Sequence, residues 1–403
     1  MPYAKPPTDL PLTPALSPNG GERELPLCRA RPPRGWRLAL FILAGVLGGA
    51  FSAPAAAAPG LATRNLILVT TDGFRWQEMF GGAEEALLTT NSALKDVTPL
   101  KQQFWRATPH ERREALLPFT WGTIARQGQL WGNTNLGSVV TVANPFKFSY
   151  PGYNELLTGF PDPRIDSNDK KPNPNTNVLE WLNARSPYRG RCAAFASWDV
   201  FPYILNRDRN GLHVRAGTEP MATGKLSPRQ ALLNELILDT TPLWDGLLHD
   251  GFLFQAAFDY FQQHRPRVLY LAFDETDDWA HEGRYDRYLQ TAHRVDDRLR
   301  RIWELVQSLP AYRNKTTLLI TTDHGRGSGS GPKGWRDHGK DVPGAEYIWL
   351  AALGPDTPGL GERSHTRPVQ QKHLAATVAA FLGEDYAGQF PAAGAPILEL
   401  LRK

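Results

Sequence analysis

The chain has 403 residues, 41% hydrophobic and 21% charged, a globular composition with length for one large α/β domain or two smaller ones. The formal net charge is +4, but residues 1–58 hold six Lys/Arg against three Asp/Glu, which leaves 39 against 38 for the rest. The body carries no basic stripe, so a nucleic-acid-binding surface is not expected.

The chain begins with a leader. "RARPPRGWR" is a positive region, and "LALFILAGVLGGAF", residues 38–51, is an apolar run of 14 residues. That is shorter than the ~20 residues of a membrane-spanning helix. "SAPAAAAPG" then offers small-residue cleavage sites. This order predicts a signal peptide cleaved near Ala58, no stable membrane span and a periplasmic product. An uncleaved membrane anchor is the competing reading. The first ~25 residues lie upstream of where such a signal begins, and "PLTPALSPNGGERE" resembles a translated intergenic repeat. Translation is therefore expected to start downstream. Of the two cysteines, Cys28 falls in the leader and Cys192 is the one thiol of the body. A large core without an internal disulfide is expected.

Residues 59–403 read as one domain of alternating strands and helices. "NLILVTT" (65–71), "RCAAFAS" (191–197), "RVLYLAF" (267–273), "TTLLITT" (316–322) and "EYIWLAAL" (346–353) are continuous apolar runs of strand length. Such runs suit strands buried on both faces of a parallel sheet. Helical patterns lie between them, among them "NVLEWLNAR", "YDRYLQTAHRVDDRLRRIWELVQSL" and "QKHLAATVAAFLG". The fold class predicted is α/β, doubly wound, with a mostly parallel sheet and helices on both faces. Residues 76–135 and 205–245, rich in Pro, Gly, Asn and Arg, are expected to be irregular insertions that roof a site.

Three strands end in acids. "LILVTTDG" ends on Asp72, "LYLAFDETDDWAH" carries Asp277 and His281 just past its end, and "LLITTDHG" ends on Asp323 and His324. Ligands of open α/β sheets bind beyond the carboxyl ends of the strands, so these side chains aim at one crevice. Carboxylate and neutral imidazole are the ligands of catalytic zinc and similar divalent ions. Asp277 and His281 are four apart, which places both on one helical face. His338 follows in the loop "GWRDHGKDVPGAEYIWL". His110, His213, His249, His264 and His293 have no evident acid partners and read as surface or packing residues. His365 and His373 are ambiguous.

A nucleophile is suggested by "NPFKFSYPGYNELLTGF". Ser149 reads as an N-cap, with Pro151 early in the helix and Gly159 closing it. Free N–H groups at such a helix start could hold a phosphate and favour an alkoxide.

In this order, Asp, Ser at a helix start, D-x-x-x-H, D-H and a late His-Gly resemble the alkaline phosphatase superfamily. The nearest branch is that of the type I phosphodiesterases and nucleotide pyrophosphatases, and the resemblance spans about residues 64–385. It implies two divalent metal ions, zinc first and manganese next. Asp72, Ser149, Asp323 and His324 would hold one ion, and Asp277, His281 and His338 the other. Family members also bind a phosphoryl oxygen with an asparagine downstream of the nucleophile. Asn168 in "RIDSND" fits best, with Asn173 and Asn175 as competitors.

Departures narrow the resemblance. Formylglycine sulfatases need an arginine where "SYPGY" has Tyr153. Phosphoethanolamine transferases carry several membrane spans. Cofactor-independent phosphoglycerate mutases insert a large domain soon after the nucleophile. Some phosphomonoesterases place Lys and Arg near the second strand, where this chain has Ser197, Trp198 and Asp199. An acid beside a dianion is unfavourable, which tilts the expectation toward diesters unless Lys147 or Arg164 compensates. The expected function is an exported two-metal hydrolase of small-molecule phosphoric esters acting through Ser149 and a phospho-serine. A sulfate or phosphonate ester hydrolase and a non-catalytic metal-dependent binding protein are the alternatives.

Overall fold

The computed structural model describes residues 60–90, 94–220 and 225–401. The leader and its expected cleavage site lie outside them. Among the described residues no helix is long and apolar enough to cross a membrane. The strands are β1 (Asn65–Thr71), β2 (Gln129–Trp131), β3 (Val140–Thr141), β4 (Cys192–Ala196), β5 (His213–Ala216), β6 (Val268–Phe273), β7 (Thr316–Thr321), β8 (Tyr347–Ile348), β9 (Leu350–Leu353), β10 (Gly361–Glu362) and β11 (Val369–Gln370).

Strand β1 is central because every one of its residues is buried. Its side chains alternate between two cores. Leu66 and Leu68 join one cluster, and Ile67 and Val69 join the other. A strand buried this way needs a strand on each edge and helices on each face. Both are present: Leu66 is in register with Val268 of β6 on one side and Thr317 of β7 on the other, both parallel. The main sheet has eight strands in the order β10-β2-β9-β7-β1-β6-β4-β5. From β5 to β7 all are parallel, and β9 is antiparallel to both neighbours. A small sheet, β11-β3-β8, completes the fold.

One face is covered by the helices Asp250–His264 and Tyr285–Ser308, the other by Ser149–Thr158, Val178–Asn183 and Leu374–Phe381. In the longest helix Tyr285, Tyr288, Leu289, Ala292, Val295, Leu299, Ile302 and Val306 are buried, the spacing of a single apolar stripe. The expected doubly wound architecture is present.

Two expectations need correction. The run "EYIWLAAL" is not one strand: Tyr347–Ile348 pairs with β3 in the small sheet, and Leu350–Leu353 pairs with β7 and β2 in the large one. The segments expected as irregular insertions also supply structure. Residues 76–135 contribute β2 and the buried Met79, Phe80, Leu100, Phe104, Trp121 and Ile124 to one core. Residues 205–245 contribute β5, the edge strand. Strands of three or four residues are too short to declare an alternation, which is why composition misled.

Candidate metal centre

The carboxyl ends of β1, β6 and β7 are adjacent in the sheet, so the residues that follow them converge. Asp72 follows β1 directly, Asp323 and His324 follow β7, and β6 runs into a short helix, Glu275–His281. Thr276 Oγ1 donates to the Asp72 carbonyl at 2.6 Å, tying that helix to the end of β1. Two sets of donors lie mutually within 4.8 Å: Asp72, Asp323 and His324, and Asp277, His324 and His338.

The first set has an unmet demand. Asp72 Oδ1, Asp323 Oδ2 and His324 Nε2 are all buried and make no hydrogen bond. Their other polar atoms are engaged: Asp72 Oδ2 accepts from the Tyr153 hydroxyl at 2.9 Å, and Asp323 Oδ1 accepts from the Gly73 N–H at 3.1 Å. His324 Nδ1 lies 3.0 Å from the Gly325 carbonyl. A carbonyl only accepts, so Nδ1 carries the proton and Nε2 presents a lone pair. That nitrogen sits 3.2 Å from Asp72 Oδ1 and 3.5 Å from Asp323 Oδ2. An orphaned buried acceptor costs about 1–3 kcal/mol. Three converging acceptors with no donor fit a divalent cation, and the donor set suits one.

Electrostatics agree. Burial, then the charge of Asp277, pushes the Asp72 carboxyl up to about 8. Burial, then Asp72, raises Asp323 well above the usual carboxylate range. Burial lowers His324 to about 4, so its imidazole is neutral at pH 7 and competent as a ligand.

His281, expected in place of His324 beside Asp277 and His338, is not in the second set but adjoins it. Its Nε2 is 3.1 Å from Asp277 Oδ2 and 2.9 Å from His338 Nε2. The predicted i,i+4 face is therefore formed. His338 Nδ1 lies 3.3 Å from the Lys147 carbonyl, which again leaves Nε2 with the lone pair. Outer hydrogen bonds of this kind orient metal-binding histidines. His281 Nε2 is therefore the donor of its contact with His338 in the metal-free protein, and a cation held by both nitrogens would take the place of its proton.

Ser149 is bracketed by this centre. Lys147 contacts His338, Tyr153 contacts Asp72, and a Cβ on Gly152 would fall 2.4 Å from the Asp323 carbonyl oxygen. Only glycine lets the helix approach that closely. The serine is not an N-cap as expected. Phe148 occupies the cap position and Ser149 is the first helical residue, without a side-chain cap. Lys147 at φ 56° turns the chain into the helix, a conformation non-glycine residues rarely adopt. The expected cluster of free N–H groups shrinks to that of Ser149. Tyr150 N–H is taken by Asn168 Oδ1 at 3.0 Å, Pro151 has none, and Gly152 N–H bonds the Phe148 carbonyl at 3.0 Å.

Asn168 thus sits at the helix start, and because the N–H can only donate, its Nδ2 is the group left over. The competitors are structural: Asn173 and Asn175 both donate to Asn154 Oδ1 at 3.1 Å and are buried. The other histidines are apart from the centre. Two of them do have acid partners, contrary to expectation: His249 faces Glu275 at 3.3 Å and His110 faces Glu114 at 3.7 Å. Asp199 is likewise not a lone acid, since Lys170 Nζ lies 2.6 Å from it.

Four participants escaped the sequence reading. Tyr153 orients Asp72. Asp274 and Asp278 add carboxyls beside Asp277; burial, then Asp72, raises the first, and burial, then Asp277, raises the second to about 7. Arg326 bonds Asp277. The signals were the acid-rich "DETDDWAH" and the arginine of "TTDHGRG".

Residues 251–332 match the family model of the metalloenzyme superfamily. No curated protein matches the chain. Among solved structures, the lipoteichoic acid synthase LtaP from Listeria monocytogenes is similar at 11% identity and a TM-score of 0.52, covering 80% of this chain and 73% of its own. The phosphonate monoester hydrolase SpPMH from Silicibacter pomeroyi is similar at 13% identity and a TM-score of 0.52, covering 84% of this chain and 76% of its own. The chain therefore has the alkaline phosphatase-like fold, and its residues 251–332 carry the sequence pattern of the metalloenzyme superfamily.

Proposed function

We propose that this protein is an exported phosphodiester hydrolase in which Ser149 is the nucleophile and two divalent ions, zinc in first place, are resident. The observation that carries the reading is the bracketing of Ser149 by Lys147, Gly152 and Tyr153, each in contact with a metal-binding segment or side chain. When bound, the ions would activate the serine hydroxyl and neutralise charge on the reacting phosphoryl group. Asp72, Ser149, Asp323 and His324 would hold one, and Asp277, His281 and His338 the other. Ser149 Oγ attacks phosphorus and loses its proton. The ester P–O bond on the opposite side breaks, and the leaving oxygen departs with its electron pair and is protonated. Water then cleaves the bond between phosphorus and Ser149 Oγ, regenerating the hydroxyl and releasing a phosphate monoester that keeps the second ester group. Asn168 Nδ2 and the Ser149 N–H are the donors available to an equatorial oxygen.

Diesters are favoured by the fate of the cations. Between residues 147 and 171 the chain has four: Lys147, Arg164, Lys170 and Lys171. All are paired, with Glu346, Asp162, Asp199 and Asp169 respectively. A dianionic monoester would enter a site with Asp274 and Asp278 close by and no lysine or arginine of that segment uncommitted. Tyr153, occupied by Asp72, stands where formylglycine sulfatases need arginine. The leader pattern of residues 29–58 supports export, and intact mass of the exported protein tests cleavage near Ala58.

Turnover on bis(4-nitrophenyl) phosphate, 4-nitrophenyl phosphate and 4-nitrophenyl sulfate tests the reading. The diester should exceed each other ester at least about tenfold in kcat/KM, the equivalent of ~1.4 kcal/mol. A preference for the sulfate would overturn it.

A further inference from the structure

Arg326 is 1% exposed, yet all three nitrogens of its guanidinium are engaged. Nε donates to the Gly73 carbonyl at 3.2 Å, Nη1 to the Arg336 carbonyl at 2.6 Å, and Nη2 to the Asp277 carbonyl at 3.0 Å. Nη2 also bonds Asp277 Oδ1. Gly73 follows Asp72, Arg336 lies two residues before His338, and Arg326 lies two residues after His324. One planar group therefore registers the four segments that carry the candidate ligands. Its engaged nitrogens and burial leave it no role in touching substrate.

The bond to Oδ1 has a second effect. Asp277 Oδ1 also lies 3.7 Å from Nε2 of both His324 and His338, where it could bridge the two donor sets. With Oδ1 held by the guanidinium, Asp277 offers Oδ2, the oxygen beside His281. The backbone is shaped for this pairing. A Cβ on Gly73, which sits at φ +56°, would fall 2.5 Å from Asp277 Oδ1 and 2.8 Å from Arg326 Nε.

We propose that Arg326 is the positioning residue of the second metal position, holding Asp277 to a single-oxygen presentation and keeping the two positions distinct. That position then has three protein donors, Asp277 Oδ2, His281 Nε2 and His338 Nε2, and keeps room for an external ligand, as catalytic sites do. The inference rests on the two-metal reading. Lysine cannot replace the fork, because an ammonium is a point charge without the planar donor set.

The test is zinc titration of the full chain against a chromophoric chelator, with Arg326→Lys, Arg326→Gln and wild type. Wild type should bind two ions. Both variants should keep one with wild-type affinity and bind the other about 10–100-fold more weakly, as outer-ligand changes do, with lysine the milder. Equal weakening of both ions, or none, would overturn the proposal. Should neither variant fold, zinc-edge X-ray absorption of fully loaded wild type decides. One carboxylate oxygen at the His281/His338 ion supports the proposal, and a bidentate or bridging carboxylate overturns it. A wild type that binds a single ion removes the two-metal reading and this inference with it. Wild type with two ions and variants that behave like it removes this inference alone.

Discussion

The Tyr153 hydroxyl donates to Asp72 Oδ2 at 2.9 Å, and both residues are buried. The pair fixes which carboxylate oxygen is spent inside the protein and which, Oδ1, is left facing His324 Nε2. It also joins the helix that begins at Ser149 to the end of β1. Tyr153→Phe removes the donor with little change in volume. Its metal affinity or turnover should fall about 10–100-fold, while its melting temperature in metal stays near wild type. Unchanged affinity and rate would mean that the hydroxyl only satisfies a buried carboxylate.

Ser149→Ala tests the covalent step. On the proposed reading the hydroxyl would be a single ligand among several, so fold and at least one metal should survive, and turnover should drop at least about 10³-fold. Wild type acid-quenched with a diester should yield a Ser149 peptide carrying the phosphoryl group and its remaining ester. Ser149→Thr keeps the hydroxyl and should retain part of the activity, limited by room for a methyl beside Tyr150 and Tyr153. A Ser149→Ala enzyme with near-normal rates would show that water attacks directly.

How much of this was legible in sequence follows from the range of the interactions. Strands β1, β6 and β7 declared themselves because each holds an uninterrupted apolar stretch and is buried along its whole length. The acids and histidines at their ends were visible because the candidate ligands came in adjacent or i,i+4 pairs. The partition of "EYIWLAAL" was hidden, since apolarity says nothing about which sheet a strand joins. Arg326 was hidden for another reason: its partners are 253, 49 and 10 residues away in sequence. Tyr153 likewise looked like a missing arginine until Asp72, 81 residues distant, was placed beside it.

Metal and protons compete for the first donor set, which gives the pH dependence a sign. In metal-stripped protein, burial, then Asp277, raises Asp72 to about 8, and burial, then Asp72, raises Asp323. Groups raised on folding contribute stability that is complete below their unfolded value, ~4. That stability is lost as pH rises through the folded value. His324 and His338, both lowered by burial, act in the opposite sense up to their unfolded value of about 6.5, so the chelated protein should lose thermal stability from about pH 6.5 to about 8. Bound zinc displaces those protons, so the gain in melting temperature on adding zinc should grow over the same window. His324, lowered by burial to about 4, adds no competing proton there. Paired melting curves in chelator and in zinc check this, and a zinc-induced gain that shrinks with rising pH contradicts it.

Gly152 gives the most local test of how the serine is placed. A Cβ there would meet the Asp323 carbonyl oxygen at 2.4 Å and its carbon at 3.1 Å. Those are main-chain atoms, and the oxygen is further held by Gln371 Nε2 at 2.7 Å. The strand end cannot yield easily, so in Gly152→Ala the helix start must move. Overpacking of this kind costs about 1–3 kcal/mol of stability. A displacement near 1 Å at a reacting group can cost on the order of 10²-fold in rate. Gly152→Ala should thus fold, bind at least one ion and lose about two orders of magnitude in kcat. Gly122→Ala is the control, because a Cβ at Gly122 meets nothing within 4 Å. It should leave rate and metal content unchanged. If Gly152→Ala retained wild-type kcat, the spacing between Ser149 and the end of β7 would not matter to turnover, and the serine would lose its claim to the chemistry.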